Sequence, residues 1–253
     1  MTSINHHLLL VAMNKDWKGN SNSAQYAYAI KKKDSTEIRE KDDFYATDPK
    51  ALEMLLDKSS LFLRRILDSC KPDYGYSFAE PKPLRTYWNG EMIHSTTAIW
   101  ECACGSGNLF NVLKERGYEA IYSDIKDRGF GKFKGMLNVD FLNNYDYVLP
   151  WKYNVSVILT NPPYRLANEF IIHALQILPE NGLYIALMNL QVLAGIERYE
   201  KIYQFGSLRE IYVFRKRIRC FKNNIVNDKS PLINYAWFVF QKGYCGNPTV
   251  YWL

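Results

Sequence analysis

From Thr97 onward the chain alternates short apolar runs with amphipathic stretches, and this alternation constrains its fold more than any other feature. Thr97–Cys102 reads as a strand and Asn108–Arg116 as a helix. Ala120–Ser123 reads as a short strand that ends at Asp124. Val155–Thr160 has the apolar character of a strand buried on both faces, and Leu166–Leu178 has the period of an amphipathic helix. Leu183–Met188 follows as a strand, then a helix from about Leu193 to Tyr203. Leu208–Phe214 and Tyr235–Phe240 close the series as two more strands. Buried strands alternating with helices predict an α/β fold with a mostly parallel sheet. Ligands of such sheets lie at the carboxyl ends of the strands, so the chemistry is sought there.

The chain before Thr97 is organised differently. Residues 1–41 are mixed and polar and read as a weakly ordered N-terminal arm. A helix is expected near Pro49, with Asp48 as its cap, Pro49 in the first position, and Leu52, Leu55 and Leu56 at helical spacing. Residues 71–97 are rich in Pro, Tyr and Gly and read as a loop insertion into a domain spanning 42–253. Apolar residues make up 47% of the 253, enough for a sizeable core, so global disorder is not expected. Five scattered cysteines form no disulfide framework and point to a reducing, cytoplasmic setting. Leu8–Val11 is far too short for a signal or a membrane span, and no membrane partner is expected.

Three strand ends carry candidate chemistry. The first runs into Glu101-Cys102-Ala103-Cys104-Gly105-Ser106-Gly107-Asn108. Glycines between a strand and a helix let a ligand approach the backbone, although a tight turn without a ligand has the same pattern. The second ends in Asp124, where an acid can accept from ribose hydroxyls or simply decorate a turn. Together the two favour a cofactor that contains a nucleoside. The third ends in Thr160-Asn161-Pro162-Pro163-Tyr164. Consecutive prolines stiffen the backbone and remove two donors, leaving the Pro162 carbonyl to accept from a ligand. The Asn161 oxygen is a second acceptor and Tyr164 a stacking surface. Two acceptors and one aromatic plate suit a planar group bearing an NH2, such as adenine; the competing reading is a rigid turn.

These motifs resemble those of class I S-adenosylmethionine-dependent methyltransferases, and among them the adenine-specific (N6) DNA methyltransferases of phage and prophage type. The resemblance runs from about Asp42 to the C-terminus. It implies a Rossmann-like, mostly parallel seven-stranded sheet with helices on both faces, S-adenosylmethionine as cofactor, and DNA as partner. Asn161, Pro162, Pro163 and Tyr164 match the catalytic motif. Glu101, Ala103, Gly105 and Gly107 match the cofactor turn, and Asp124 the acid that follows it. Phe44-Tyr45-Ala46-Thr47-Asp48-Pro49 looks like the segment for the methionine end of the cofactor, which implicates Tyr45, Thr47 and Pro49. Asp140 and Phe141 look like the pair that contacts the cofactor adenine, the first by its carboxylate and the second by its ring or backbone. Related enzymes often carry a large recognition domain, whereas here about ninety residues follow Tyr164.

The formal charge of +6 is compatible with a polyanionic partner. Arg209, Arg215, Lys216, Arg217, Arg219 and Lys222 fall close together, with Tyr212, Phe214 and Phe221 between them. The segment 209–222 reads as a phosphate-contacting edge, or as a solvated basic loop. Cys102 and Cys104 lack the second pair a metal site needs and read as buried thiols, so no metal is expected. His173 reads as a packed or exposed helix residue. The Pro-Cys nucleophile of cytosine carbon methylation is absent. Asn-Pro-Pro-Tyr also serves enzymes that methylate adenine in RNA or glutamine in proteins, and a nucleic-acid-binding module that has lost activity is the reading from another class.

Overall fold

The computed structural model describes residues 45–71, 87–88, 91–92, 97–130, 137–143, 154–218, 220–222 and 233–253. The expected arm (1–41), Phe44, most of the expected loop insertion and Arg219 lie outside them. Within that insertion a two-residue ladder joins Tyr87–Trp88 to Glu91–Met92.

Among the described residues seven strands form one sheet, with helices on both faces, as expected. In chain order the elements are β1 (Tyr45–Thr47), α1 (Pro49–Lys58), α2 (Leu61–Asp68), β2 (Ala98–Glu101), α3 (Asn108–Glu115), β3 (Ala120–Tyr122), β4 (Val155–Thr160), α4 (Ala167–Ile177), β5 (Leu183–Asn189), α5 (Ile196–Lys201), β6 (Leu208–Val213), β7 (Cys220–Lys222), β8 (Tyr235–Gln241) and β9 (Thr249–Trp252). The sheet order is β9-β6-β8-β5-β4-β2-β3. Strands β3, β2, β4 and β5 pair in parallel, β8 runs antiparallel between β5 and β6, and β9 pairs in parallel with β6. Because β8 reverses twice over, the carboxyl ends of β2, β4, β5 and β6 share one edge.

Alternate residues divide the core between the two faces. Ile99, Val157, Leu159, Ile185 and Trp237 pack beneath α1, α2 and α3. Trp100, Ile158, Tyr184, Ala186 and Phe238 pack beneath α4. Each fully buried side chain of this kind contributes about 1.5–3 kcal/mol. Helix α1 begins as its sequence requires: Asp48 accepts the Lys50 N–H at 3.0 Å, Pro49 takes the first position, and Ala51, Leu52, Leu55 and Leu56 are buried. Trp237 Nε1 donates to the Ala51 carbonyl at 2.9 Å, which fastens α1 to β8.

Several expectations need correction. The sheet does not close with the strand over 235–240: β9 adds a further edge strand beyond β6. Helix α2, capped by Ser60, had no counterpart in the sequence reading. The helix expected from Leu193 to Tyr203 is interrupted. Leu190–Leu193 forms a 3-10 turn, Gly195 takes φ +122°, and α5 is six residues long before another 3-10 turn at Tyr203–Phe205. The remaining boundaries move by one or two residues, as fraying ends do.

Candidate active site

The glycine turn sits where β2 meets α3. Gly105 (φ +56°) and Gly107 (φ +79°) adopt the left-handed conformation that other residues avoid. Neighbouring polar groups hold the turn. The Cys104 N–H donates to the Ser123 carbonyl at 2.9 Å, and the Gly105 N–H donates to Asp124 Oδ2 at 2.7 Å. Trp100 Nε1 donates to Ser123 Oγ at 2.9 Å.

A cavity of about 430 Å³ opens at the carboxyl edge of the sheet. That volume lies within the range of small-molecule sites. On one side it is lined by Glu101, Ala103, Gly105 and Asp124, with Asp140 and Phe141 beside them; on the other by Asn161, Pro162, Pro163 and Tyr164, with Thr47 nearby. Five segments separated in sequence thus converge on one space.

Not every expected residue reaches it. Pro49 is exposed in the first turn of α1. Gly107 is covered by Phe130: a Cβ added there would stand 2.2 Å from the ring. The close approach that Gly107 permits in this structure is therefore to a side chain of the same protein. Tyr45 lies in β1, and its side chain is outside the described residues. Ile125, Arg128, Leu142, Arg165 and Leu166 also line the cavity and were not anticipated. Arg165 and Leu166 directly follow the Asn-Pro-Pro-Tyr motif, which is the one signal that could have found them.

Glu101 ends β2 with its side chain 2% exposed, and Oε2 has no hydrogen-bond partner among the described residues. Burial pushes its carboxyl well above the ordinary range; the nearby Asp124 charge adds to the shift and the Phe110 N–H opposes it. A buried carboxyl oxygen without a partner at a cavity wall calls for a polar ligand group. S-adenosylmethionine, the cofactor implied by the resemblance, carries hydroxyl, amino and ammonium donors, so this residue set fits it.

Asp140 accepts the Leu142 N–H at 3.0 Å and the side-chain amide of Asn143, which folds its segment back on itself. The Phe141 ring is 3% exposed and packs edge-on against Trp100 and His173 at 5.3 and 4.8 Å between centroids. His173 is thus a packed helix residue, and burial lowers its pKa. Cys102 and Cys104 are buried thiols whose pKa values burial raises, away from nucleophilic character.

Tyr164 opens a 3-10 turn closed by the Leu166 N–H on the Pro163 carbonyl at 2.9 Å. Its half-buried ring packs against Tyr235, 5.7 Å away and tilted by 35°. Asn161 Nδ2 donates to Thr47 Oγ1 at 2.9 Å, and Asn108 Nδ2 donates to the Thr47 carbonyl at 2.8 Å. Thr47 therefore joins the segment at β1 to both the glycine-turn helix and the Asn-Pro-Pro-Tyr turn.

The basic segment divides in two. Arg215, Lys216 and Arg217 are exposed just past the carboxyl end of β6, on the edge that carries the cavity. Arg215 Nε reaches the Leu253 carbonyl at 3.1 Å and Arg217 Nε reaches Asn234 Oδ1 at 2.9 Å. Arg209 does not belong with them. It lies near the start of β6, over the Phe62 ring at 3.5 Å, because a strand carries its two ends to opposite edges. Beyond Arg217 the chain returns as β7, which pairs antiparallel with β1 and sets Cys220 opposite Thr47.

No family model and no curated protein matches the chain. Solved structures resemble it at low identity. A Listeria monocytogenes protein assigned to the class I S-adenosylmethionine-dependent methyltransferases is 13% identical over 91% of this chain and 71% of its own, with a TM-score of 0.47. The methyltransferase subunit of a Streptococcus thermophilus type I restriction-modification system is 15% identical over 58% of this chain and 40% of its own, with a TM-score of 0.43. The type IIG restriction endonuclease BpuSI is 18% identical over 58% of this chain, with a TM-score of 0.41, and the match spans 22% of its length. Among the described residues no helix is long and apolar enough to cross a membrane.

Proposed function

We propose that this protein transfers a methyl group from S-adenosylmethionine to the exocyclic N6 amine of adenine in DNA. The observation that carries this reading is that Asn161–Tyr164 and the glycine turn line the same cavity. The residues to hold the cofactor are Glu101, Ala103 and Gly105 of the glycine turn, Asp124, Asp140, Phe141 and Thr47. When bound, the cofactor supplies an activated methyl group on a sulfonium.

The chain's own residues do the remaining work. The lone pair of an adenine amine is delocalised into the ring, which makes it a poor nucleophile. The Asn161 oxygen and the Pro162 carbonyl accept hydrogen bonds from the two amine N–H groups and favour a more tetrahedral nitrogen, whose lone pair then points at the methyl group; the methylated nitrogen afterwards loses one proton to solvent. Positioning and fixed dipoles carry most of the rate, and no covalent enzyme intermediate is needed. A base within a duplex cannot enter such a cavity, so it is flipped out and stacked on Tyr164. Arg215, Lys216 and Arg217 on the same edge contact phosphates, and Arg219 joins them in that role by its place in the sequence, which favours nucleic acid over a glutamine side chain as substrate.

The test is transfer of a labelled methyl group to unmethylated duplex DNA. Wild-type protein should label adenine. Asn161→Ala should lose at least about 100-fold in turnover, while binding S-adenosylmethionine within a few-fold of wild type. Retained turnover would remove Asn161 from the catalytic role.

A further inference from the structure

The chemistry asked of Asn161 depends on which end of its amide meets the target. The oxygen and nitrogen of a carboxamide are nearly equal in size, so packing alone does not choose between two orientations related by a half-turn. An NH2 target needs the oxygen, because the amide nitrogen would face it donor to donor.

Thr47 is placed to hold that amide in its plane. Its side chain is 4% exposed, and its Oγ1 receives Asn161 Nδ2 at 2.9 Å. The oxygen branch of the planar amide then points away from Thr47. Thr47 is itself held on two other sides, by Asn108 Nδ2 on its carbonyl at 2.8 Å and by the β1–β7 ladder opposite Cys220. A hydroxyl can also donate, so an overturned amide would still find a partner at Thr47. It would then present its nitrogen to the amine, and only the orientation found here satisfies both ends.

We infer that Thr47 is a positioning residue that fixes the plane of the Asn161 amide, so that in the orientation found here its oxygen is presented to the amine being methylated. The inference rests on the proposed reading only in needing an NH2-bearing target. It does not depend on whether that target is adenine in DNA.

Two measurements test it on the full chain. In the 15N-labelled protein the side-chain amide pair of Asn161 is assigned by its loss in Asn161→Ala. Thr47→Val should shift that pair and speed its exchange with solvent at least about tenfold, and Thr47→Ser should restore both. In turnover at saturating S-adenosylmethionine, Thr47→Val should lower kcat by about 10–100-fold while KM for the nucleic acid stays within about threefold, and Thr47→Ser should recover most of the loss. An unmoved Asn161 amide pair in Thr47→Val would overturn the inference, as would equal kcat losses in the Val and Ser variants. The resonance measurement needs no substrate, so it decides the role of Thr47 even if DNA adenine proves to be the wrong target.

Discussion

The carboxylate of Asp124 accepts the Gly105 N–H at 2.7 Å, so the acid at the end of β3 holds the glycine turn at the end of β2. Its other oxygen accepts the Lys126 N–H at 2.9 Å and lies 3.8 Å from Arg128 Nε. The sequence offered ribose as the partner of this acid. The structure adds a bracing role that precedes any ligand. Asp124→Ala would strand a buried N–H, at a cost of about 1–3 kcal/mol. For a chain of this length a 2 kcal/mol loss lowers the melting temperature by about 4–8 °C. Thermal unfolding without ligand should show that fall, and an unchanged midpoint would leave Asp124 with a ligand role alone.

Glu101 predicts a pH dependence. Burial raises its folded carboxyl pKa well above the usual 4.5. Below that value the carboxyl is protonated in both folded and unfolded chains and costs nothing. As pH rises above it, the unfolded chain ionises first, so folded stability falls. Glu101→Gln removes this slope while keeping an acceptor for the Phe110 N–H. The variant should match wild type near about pH 4 and melt at a higher temperature near about pH 8. Equal midpoints at both pH values would contradict the burial of Glu101.

Gly107 makes a prediction of the opposite kind. An alanine there would sit at φ +79° with its Cβ 2.2 Å from the Phe130 ring, and that ring packs against Tyr122 at 5.0 Å. The backbone and steric penalties together come to about 2–5 kcal/mol. Adding Phe130→Ala should relieve the collision but not the backbone strain. Denaturant midpoints of the single and double variants separate the two terms, and full stability of Gly107→Ala would place the ring elsewhere.

The parts of the fold that were legible in the sequence are those whose signal is local. Val155–Thr160 and Leu183–Asn189 are continuous apolar runs with burial to match, and Asp48-Pro49 announces a helix start within two residues. Strand β9 carries no such signal. Three of its four residues are exposed, and its partner β6 lies some forty residues earlier, so only the finished sheet defines it. The β1–β7 ladder was hidden for the same reason: Tyr45–Thr47 and Cys220–Lys222 carry no pattern that names each other. At the site, the motif residues from Asn161 to Tyr164 were readable, but Arg128 and the Thr47–Asn161 contact depend on how loops fold over strand ends. Arg209 was grouped with Arg215 by closeness in sequence, which a strand between them undoes.

The exposed cations beyond β6 predict a salt signature. Arg215→Gln, Lys216→Gln and Arg217→Gln together should weaken DNA binding and reduce the slope of log affinity against log salt by about 2–3. Anisotropy titrations of a labelled duplex at several salt concentrations measure both. Unchanged affinity at low and high salt would make this segment a solvated loop.

The most direct test of the central claim is product analysis. Purified protein is incubated with S-adenosylmethionine and, separately, unmethylated duplex DNA, single-stranded DNA and RNA, and the digested nucleosides are examined by mass spectrometry. N6-methyladenine is expected from DNA, and at least about 100-fold less of it when Asn161→Ala replaces wild type. Methyladenine from RNA alone, or no methylated base on any substrate, would contradict the central claim.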